Sequence, residues 1–155
     1  MVDKRLKEFL DDNGVKYVTI AHSRAFTAQE IAASAHVPGR EMAKTVVVKI
    51  GRKMAMVVLP ASAHVDFDLL REAVGEDDVR LATEAEFRAA FPGCEVGAMP
   101  PFGNLYAMDT FVAPALAQDD EIAFNAGSHT ELVRLRWTDF ERLAQPKVVA
   151  LSWPR

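Results

Sequence analysis

KTVVVKI, residues 44–50, and MAMVVL, residues 54–59, are the two stretches that decide the fold of this chain. Both consist mainly of β-branched or apolar residues, and the three residues between them, Gly51, Arg52 and Lys53, are typical of a hairpin turn. The second stretch is apolar at every position, so other elements must cover both of its faces. The sequence therefore predicts an antiparallel hairpin in the interior of a sheet.

Helices are predicted on both sides of this hairpin by capping residues and glycine stops. One helix runs from Asp3 to Gly14, one is opened by Thr27 and Glu30, one runs from Asp66 to Gly75, one is opened by Thr83 and Glu86, and one is opened by Thr138 and Glu141. Further strands are predicted at residues 15–20, 79–81, 122–125 and 131–137. Because hairpins and helices are mixed rather than strictly alternating, we expect an α+β fold with a mixed sheet in one domain, residues 1–155.

The composition is that of a globular protein. The chain has 155 residues, of which 50% are hydrophobic and 26% are charged, which excludes a disordered or fibrous protein. The longest apolar run, residues 54–61, is far shorter than the ~18 residues that a membrane span needs. The single cysteine, Cys94, cannot form an internal disulfide, and the chain opens without an apolar signal core, so we expect a cytoplasmic protein without a membrane anchor.

The charge balance limits the kind of nucleic-acid contact that is possible. There are 18 basic and 22 acidic residues, for a net charge of −4, so the overall basic surface of a dedicated nucleic-acid binder is absent. Basic residues do concentrate between positions 40 and 53 and at Arg134 and Arg136. Any nucleic-acid contact is therefore expected to be local.

Lys44 is the first candidate functional residue. Strand alternation places its side chain on the same face as Val46, Val48 and Ile50. An ammonium group is costly to bury without a partner, so Lys44 either extends from the strand end into water or binds an anion such as a carboxylate or phosphate. The pattern alone favours the first interpretation.

Two loops are further candidates. In residues 97–103, GAMPPFG, the glycines permit close backbone approach and the prolines stiffen the chain, which suits a small ligand but also an ordinary tight connection. Residues 125–130, NAGSHT, lie between two predicted strands and contain His129, which can donate a hydrogen bond or move a proton. The alternative is a simple turn in which Ser128 and Thr130 satisfy the backbone.

Several familiar chemistries are excluded by their missing motifs. The chain has no Gly-x-Ser-x-Gly elbow, no phosphate loop, no dinucleotide-binding glycine pattern and no His-Glu-x-x-His helix. The four histidines are widely spaced, which argues against a metal site, and Cys94 lacks any signal of an activated nucleophile.

Five segments, in this order, resemble one known family. They are His22 with residues 27–30 (TAQE), residues 43–45 (AKT), residues 59–60 (LP), residues 96–103 (VGAMPPFG) and residues 120–132 (DEIAFNAGSHTEL). Together they resemble the YbaK/ProX editing domains, which are aminoacyl-tRNA deacylases related to the insertion domain of bacterial prolyl-tRNA synthetase. The similarity extends over almost the whole chain, and the last two segments are the most specific.

The resemblance implies a mostly antiparallel sheet that curls toward a barrel, and hydrolysis of the ester between a wrong amino acid and its tRNA. It implies no metal and no cofactor. Lys44 is then expected to hold the 3′ end of the tRNA, and Lys44 and His129 are the expected catalytic residues. The residues expected to bind the aminoacyl group are Gly97, Ala98, Met99, Pro100, Pro101, Asn125, Ala126, Gly127 and Ser128.

The expected substrate is a tRNA that carries alanine or serine, with tRNA for proline as one carrier. The expected protein is a free-standing monomer or homodimer, and its net charge predicts weak affinity for tRNA alone, so a synthetase or an elongation factor is expected to deliver the substrate. Two alternatives stay open. One is a non-catalytic module that binds an amino acid or aminoacyl-tRNA in the same pocket, and the other is an enzyme that acts on a different small ester or amide.

Overall fold

The structure is a computed structural model that describes residues 3–21 and 39–153. His22 and the helix predicted to begin at the Thr27–Glu30 capping box lie outside the described residues. In the described ranges, no helix has the length and apolar character needed to cross a membrane.

The described residues confirm the α+β class, with four helices and eight strands. In chain order these are α1 (Lys4–Asp12), β1 (Tyr17–Ala21), β2 (Ala43–Ile50), β3 (Lys53–Pro60), α2 (Phe67–Val74), β4 (Val79–Leu81), α3 (Glu84–Phe87), β5 (Asp109–Val112), β6 (Glu121–Asn125), β7 (Glu131–Arg136), α4 (Trp137–Ala144) and β8 (Lys147–Val148). Short 3-10 turns connect several of them.

Three of the predicted helix starts are formed by the side chains expected. The Asp3 carboxylate accepts a hydrogen bond from the Leu6 N–H at 3.1 Å. The Asp66 carboxylate accepts from the N–H groups of Asp68 and Leu69, and the Thr83 capping box is complete. These caps are local interactions, so the sequence alone is sufficient to place them.

The predicted hairpin is the centre of a five-stranded sheet. Strands β2 and β3 pair antiparallel from Ala43 opposite Pro60 to Ile50 opposite Lys53, and the strand order is β4-β2-β3-β5-β8. Strands β5 and β8 are parallel additions, and neither was predicted at these positions. Residues 55–59 of β3 are all buried, which confirms that both faces of this strand are covered.

A second sheet, of order β1-β7-β6, is entirely antiparallel. It meets the first sheet at one isolated parallel bridge, between Met42 and Ala123. We call this junction the Met42–Ala123 seam. The strands are therefore mostly antiparallel, as expected, but they form two sheets, and the described strands close no barrel.

The helix α4 begins earlier than the sequence predicts. Trp137, expected to end a strand, is its first residue, and Thr138 lies inside the helix instead of capping it. The Trp137 N–H donates to the Asp120 carbonyl oxygen at 2.9 Å, and the Trp137 side chain is buried in the core. The Asp120 carbonyl thus accepts the first N–H of the helix, and no side chain of the described residues caps it. The predicted Thr138–Glu141 capping box is therefore wrong.

Candidate functional site

Lys44 lies near the start of β2, opposite Leu59 of β3. Its neighbours on the same face of the sheet, Val46 and Val48, belong to an apolar cluster that includes Leu59. Lys44 is half-buried, and this desolvation lowers the pKa of its ammonium group below the usual value. In residues 3–21 and 39–153, no carboxylate forms an ion pair with Lys44, so its charge is not neutralised by any described part of the protein.

The Met42–Ala123 seam places Lys44 beside the end of β6. The bridge is parallel, so Lys44 and Asn125 each lie two residues beyond it in the same direction. Strands β2 and β6 pack side by side over this region. Asn125 begins the loop of residues 125–130, and the seam therefore brings the candidate lysine and this candidate loop together.

The two candidate loops are joined to each other by backbone hydrogen bonds. The Gly127 N–H donates to the Ala98 carbonyl oxygen at 2.8 Å, and the Glu95 N–H donates to the Gly127 carbonyl oxygen at 2.8 Å. Ala98 and Ala126 are fully buried. Two loops that lie about thirty residues apart in the sequence thus form one rigid unit.

His129 fastens the outer side of this unit. Its Nε2 lies 2.7 Å from the Val96 carbonyl oxygen, and because a carbonyl can only accept, Nε2 carries the hydrogen and donates it. The Glu95 carboxylate lies 4.0 Å from the same nitrogen. In neutral His129 the basic lone pair is therefore on Nδ1, and any proton transfer to this ring must use that atom.

Gly97, the first residue of its loop, is exposed. Its φ is +85°, and a β-carbon built there would lie 3.4 Å from Cε1 of His129. Its N–H contacts the Met99 sulfur at 3.3 Å. The imidazole thus lies within van der Waals reach of a β-carbon at Gly97, and the positive φ is what favours glycine at this position.

The remaining predicted binding residues of this loop lie beneath the surface. Met99 is buried with Val47 and Met56 under the central sheet. Pro100 and Pro101 are also buried. In the structure these three residues support the loop from below, while Gly97 faces outward.

Ser128 has the role of the turn alternative that the sequence left open. Its hydroxyl lies 2.8 Å from the Thr130 hydroxyl and accepts the Thr130 N–H at 3.1 Å. The Ser128 side chain is buried, and in the described part of the chain no base contacts it. These contacts stabilise the turn and do not resemble an activated nucleophile.

Other residues of the site were not predicted from the sequence. The Asp3 N–H donates to the Ala126 carbonyl oxygen at 2.8 Å, which ties the start of α1 to the second loop. Arg134 of β7 forms an ion pair with buried Glu41 at 2.6 Å, and Glu41 directly precedes the seam residue Met42. No sequence signal marks these contacts, because their partners lie more than ninety residues apart.

Cys94 packs behind the joined loops, and burial raises the pKa of its thiol. Its sulfur lies 3.7 Å from the Tyr106 hydroxyl. A thiol with a raised pKa stays protonated, which agrees with the sequence interpretation of Cys94 as a small apolar residue. Within the described ranges, no three His, Cys, Asp or Glu side chains converge as a metal site would require.

Two described cavities lie outside this site. One, of about 680 Å³, is at the far end of the hairpin and is lined in part by Lys53, Met54 and Lys147. The other, of about 660 Å³, lies beside Asp119 and Trp137. Neither of these two cavities includes Lys44, Gly97 or His129.

The order and setting of these residues match a known domain. A family model described as the aminoacyl-tRNA editing domain matches residues 22–143, which is most of the chain. The chain belongs to the aminoacyl-tRNA editing domain family. It is accordingly an aminoacyl-tRNA deacylase, a hydrolase of the ester between an amino acid and its tRNA.

Individual relatives agree with this assignment. The multifunctional Ser/Thr-tRNA deacylase ProXp-y of Escherichia coli (strain K12) is 28% identical over 151 residues, covering 94% of this chain and 90% of that protein. The protein of the same name from Escherichia coli O157:H7 matches equally. A solved structure described as a candidate trans-editing enzyme for prolyl-tRNA synthetase has a TM-score of 0.82 at 22% identity, covering 96% of this chain and 95% of that chain, and it shows the fold.

Proposed function

We propose that this protein is a free-standing trans-editing deacylase that removes a small amino acid, alanine or serine, from a mischarged tRNA. The E. coli relative that is named a Ser/Thr-tRNA deacylase supports serine within this range. The resemblance to the insertion domain of prolyl-tRNA synthetase supports tRNA for proline as one carrier. The editing domain in this proposal occupies residues 1–155, since the alignment with the relative covers 94% of the chain.

The observation that carries the proposal is the environment of Lys44. Its ammonium group is half-buried beside an apolar cluster, and among the described residues no carboxylate neutralises it. A partly desolvated cation gains most from an anion that is supplied by the ligand, and a phosphate of the tRNA 3′ end is such an anion. Lys44 in this role holds the substrate backbone while the joined loops hold the aminoacyl group.

The joined loops also offer groups that can stabilise the reaction. Attack of water on the ester carbonyl places negative charge on the carbonyl oxygen, which backbone N–H donors can stabilise. The Gly127 N–H already donates to Ala98 and is not available. In the described part of the chain no backbone acceptor pairs with the N–H groups of Ser128 and His129, and we assign the oxyanion contacts to these two.

His129 in this proposal is a positioning residue. Its Nε2 holds Val96 and so fixes the loop that contains Gly97. The free Nδ1 is the atom through which a proton role would have to act. The pocket thus depends on His129 whether or not the imidazole moves a proton.

The acidic net charge of −4 favours delivery of the substrate by another protein. A synthetase or an elongation factor that already holds the charged tRNA is the partner we infer, and the cytoplasm, where tRNA is charged, is the inferred compartment. A protein that bound free tRNA tightly at high salt would not need such a partner.

Hydrolysis of a defined substrate panel tests the proposed function. The panel contains tRNA for proline charged with alanine, serine, threonine, cysteine or proline, and the same amino acids on their own tRNAs, with an enzyme-free reaction as the control for spontaneous hydrolysis. We expect the protein to hydrolyse the alanyl or seryl ester faster than the other esters of the panel. Failure of the folded protein to hydrolyse any member would contradict the proposal and favour the non-catalytic binding module.

A further inference from the structure

Asn125 has a buried side-chain oxygen that no described residue satisfies. Its Oδ1 is buried and has no hydrogen-bond partner within residues 3–21 and 39–153. Buried amide oxygens in folded proteins nearly always accept a hydrogen bond. This atom is therefore an acceptor for a donor that the described part of the chain does not provide.

The position of Asn125 relates this acceptor to the substrate. By strand alternation Asn125 points to the same side of β6 as Ala123, which packs with Met42 and Leu132. Leu132 is also the cross-strand partner of Asn125. Lys44 lies two residues beyond the bridge on β2, as Asn125 does on β6, and the two strands contact each other. A cation without a described counterion and an acceptor without a described donor therefore lie at the same junction of the two strands.

The charge of Lys44 decides which kind of donor fits. An aminoacyl-tRNA offers two kinds near its ester, the charged α-ammonium group and neutral hydroxyl groups. An ammonium beside Lys44 would meet a like charge in a partly desolvated place, where such repulsion is weakly screened. A hydroxyl has no such cost, and both the terminal ribose and a seryl side chain carry one.

We propose that Asn125 Oδ1 accepts a hydrogen bond from a hydroxyl of the substrate and so positions it for hydrolysis. The hydroxyl is either the free one of the terminal ribose or the side-chain hydroxyl of a seryl group. This inference rests on the proposed function, because it requires an aminoacyl-tRNA in the site.

A comparison of substrates with and without each hydroxyl tests the inference. Single-turnover hydrolysis is measured for wild type and Asn125→Ala with seryl-tRNA and alanyl-tRNA, each with a ribose or a deoxyribose at the 3′-terminal adenosine. We expect the variant to lose about tenfold or more in rate only on substrates that carry the hydroxyl that Asn125 binds. Selective loss with the ribose substrates identifies the ribose hydroxyl, and selective loss with the seryl substrates identifies the side chain.

Either of two results would overturn the inference. One is an equal loss on all four substrates, which would indicate a structural role or contact with the α-ammonium group. The other is no loss on any of them. Asn104→Ala is the matched control, since Asn104 is an exposed asparagine that donates to the Leu143 carbonyl oxygen.

Two further measurements keep the test decisive. If Asn125→Ala does not fold, Asn125→Leu keeps a similar volume without the acceptor, and the same pattern of ratios is expected. Wild-type hydrolysis of the complete substrate is measured first and tests the proposed function separately. An active wild type whose substrate ratios do not change in the variant overturns only the role of Asn125.

Discussion

Gly97 combines an unfavourable backbone conformation with a contact to His129. Its φ of +85° is unfavourable for a residue with a β-carbon, and a β-carbon there would lie in van der Waals contact with the imidazole, 3.4 Å from Cε1. We expect Gly97→Ala to lower the free energy of unfolding by about 1–2 kcal/mol and to reduce deacylation, because the loop can relieve the unfavourable φ only by moving against His129. Urea unfolding and kcat/KM on the preferred aminoacyl-tRNA measure the two effects.

Gly75→Ala is the control that separates strain from site geometry. Gly75 also has a positive φ, +69°, but an added β-carbon would meet nothing within 4 Å. We expect a similar loss of stability with unchanged kcat/KM. Normal activity in Gly97→Ala would contradict the role given to the Gly97–His129 contact.

His129 can be tested by a substitution that the structure selects. Because Nε2 makes the contact with Val96, glutamine reproduces the donor better than asparagine would, and it cannot take up a proton at neutral pH. We expect His129→Gln to keep most of the activity and His129→Ala to lose it. Loss in both variants, with melting temperatures near that of wild type, would instead show that the ring transfers a proton.

At the scale of residues, the sequence was most informative where it placed a charged side chain on an apolar strand face. Lys44 in an apolar strand stood out from alternation alone, although the pattern favoured escape into water, while the structure holds the side chain half-buried. The bond from His129 to Val96 could not be predicted, because it joins a side chain to a backbone oxygen 33 residues away. Every residue carries a backbone carbonyl, so the sequence does not mark Val96 as the hydrogen-bond acceptor.

At the scale of elements, the Arg134–Glu41 ion pair holds the two sheets together at the seam. Arg134 stands opposite Ala123 in the β6–β7 pairing, and Glu41 precedes Met42 on the other side of the bridge. We expect Arg134→Met to destabilise the fold by about 2 kcal/mol, since a nearly buried carboxylate loses its partner. We also expect a lower kcat, because Lys44 and Asn125 each lie two residues beyond this seam.

An exposed ion pair provides the comparison for Arg134. Arg142→Met breaks the pair with Asp139 on the surface of α4, and such pairs contribute little. We expect the melting temperature and kcat of this variant, measured by thermal unfolding and steady-state kinetics, to stay close to those of wild type. If Arg134→Met lost stability but kept its full kcat, the seam would be a structural feature without influence on the site.

Whether an element could be predicted depended on how far apart in the sequence its defining residues lie. The hairpin and the caps of α1, α2 and α3 were predicted because the residues that form them are neighbours in the chain. The start of α4 was not, because the partner of Trp137 is the carbonyl of Asp120. The division into two sheets also escaped prediction, since it depends on pairings such as β3 with β5 that alternation cannot specify.

At the scale of the whole molecule, residues 40–53 carry less unpaired positive charge than their sequence suggests. Arg40 pairs with Asp119 at 3.4 Å, and Lys49 pairs with Glu86 at 3.5 Å. With a net charge of −4 as well, the protein can neutralise few phosphates. We expect a plot of log KM for aminoacyl-tRNA against log salt concentration to have a shallow slope, of magnitude about 1–2. A slope of magnitude about 6 would contradict this and indicate a broad tRNA-binding surface.

In the proposed function, Lys44 binds a phosphate of an aminoacyl-tRNA while the protein hydrolyses its ester. The most direct measurement compares Lys44→Ala with wild type on the preferred aminoacyl-tRNA and on a small ester of the same amino acid that has no phosphate. Lys53→Ala is the control, because Lys53 is an exposed lysine at the other end of the same hairpin. We predict that Lys44→Ala loses about 10- to 100-fold or more in kcat/KM on the tRNA and almost nothing on the small ester, with Lys53→Ala unchanged on both. Equal loss on the two substrates would show that Lys44 does not act through a phosphate, which would contradict its proposed role.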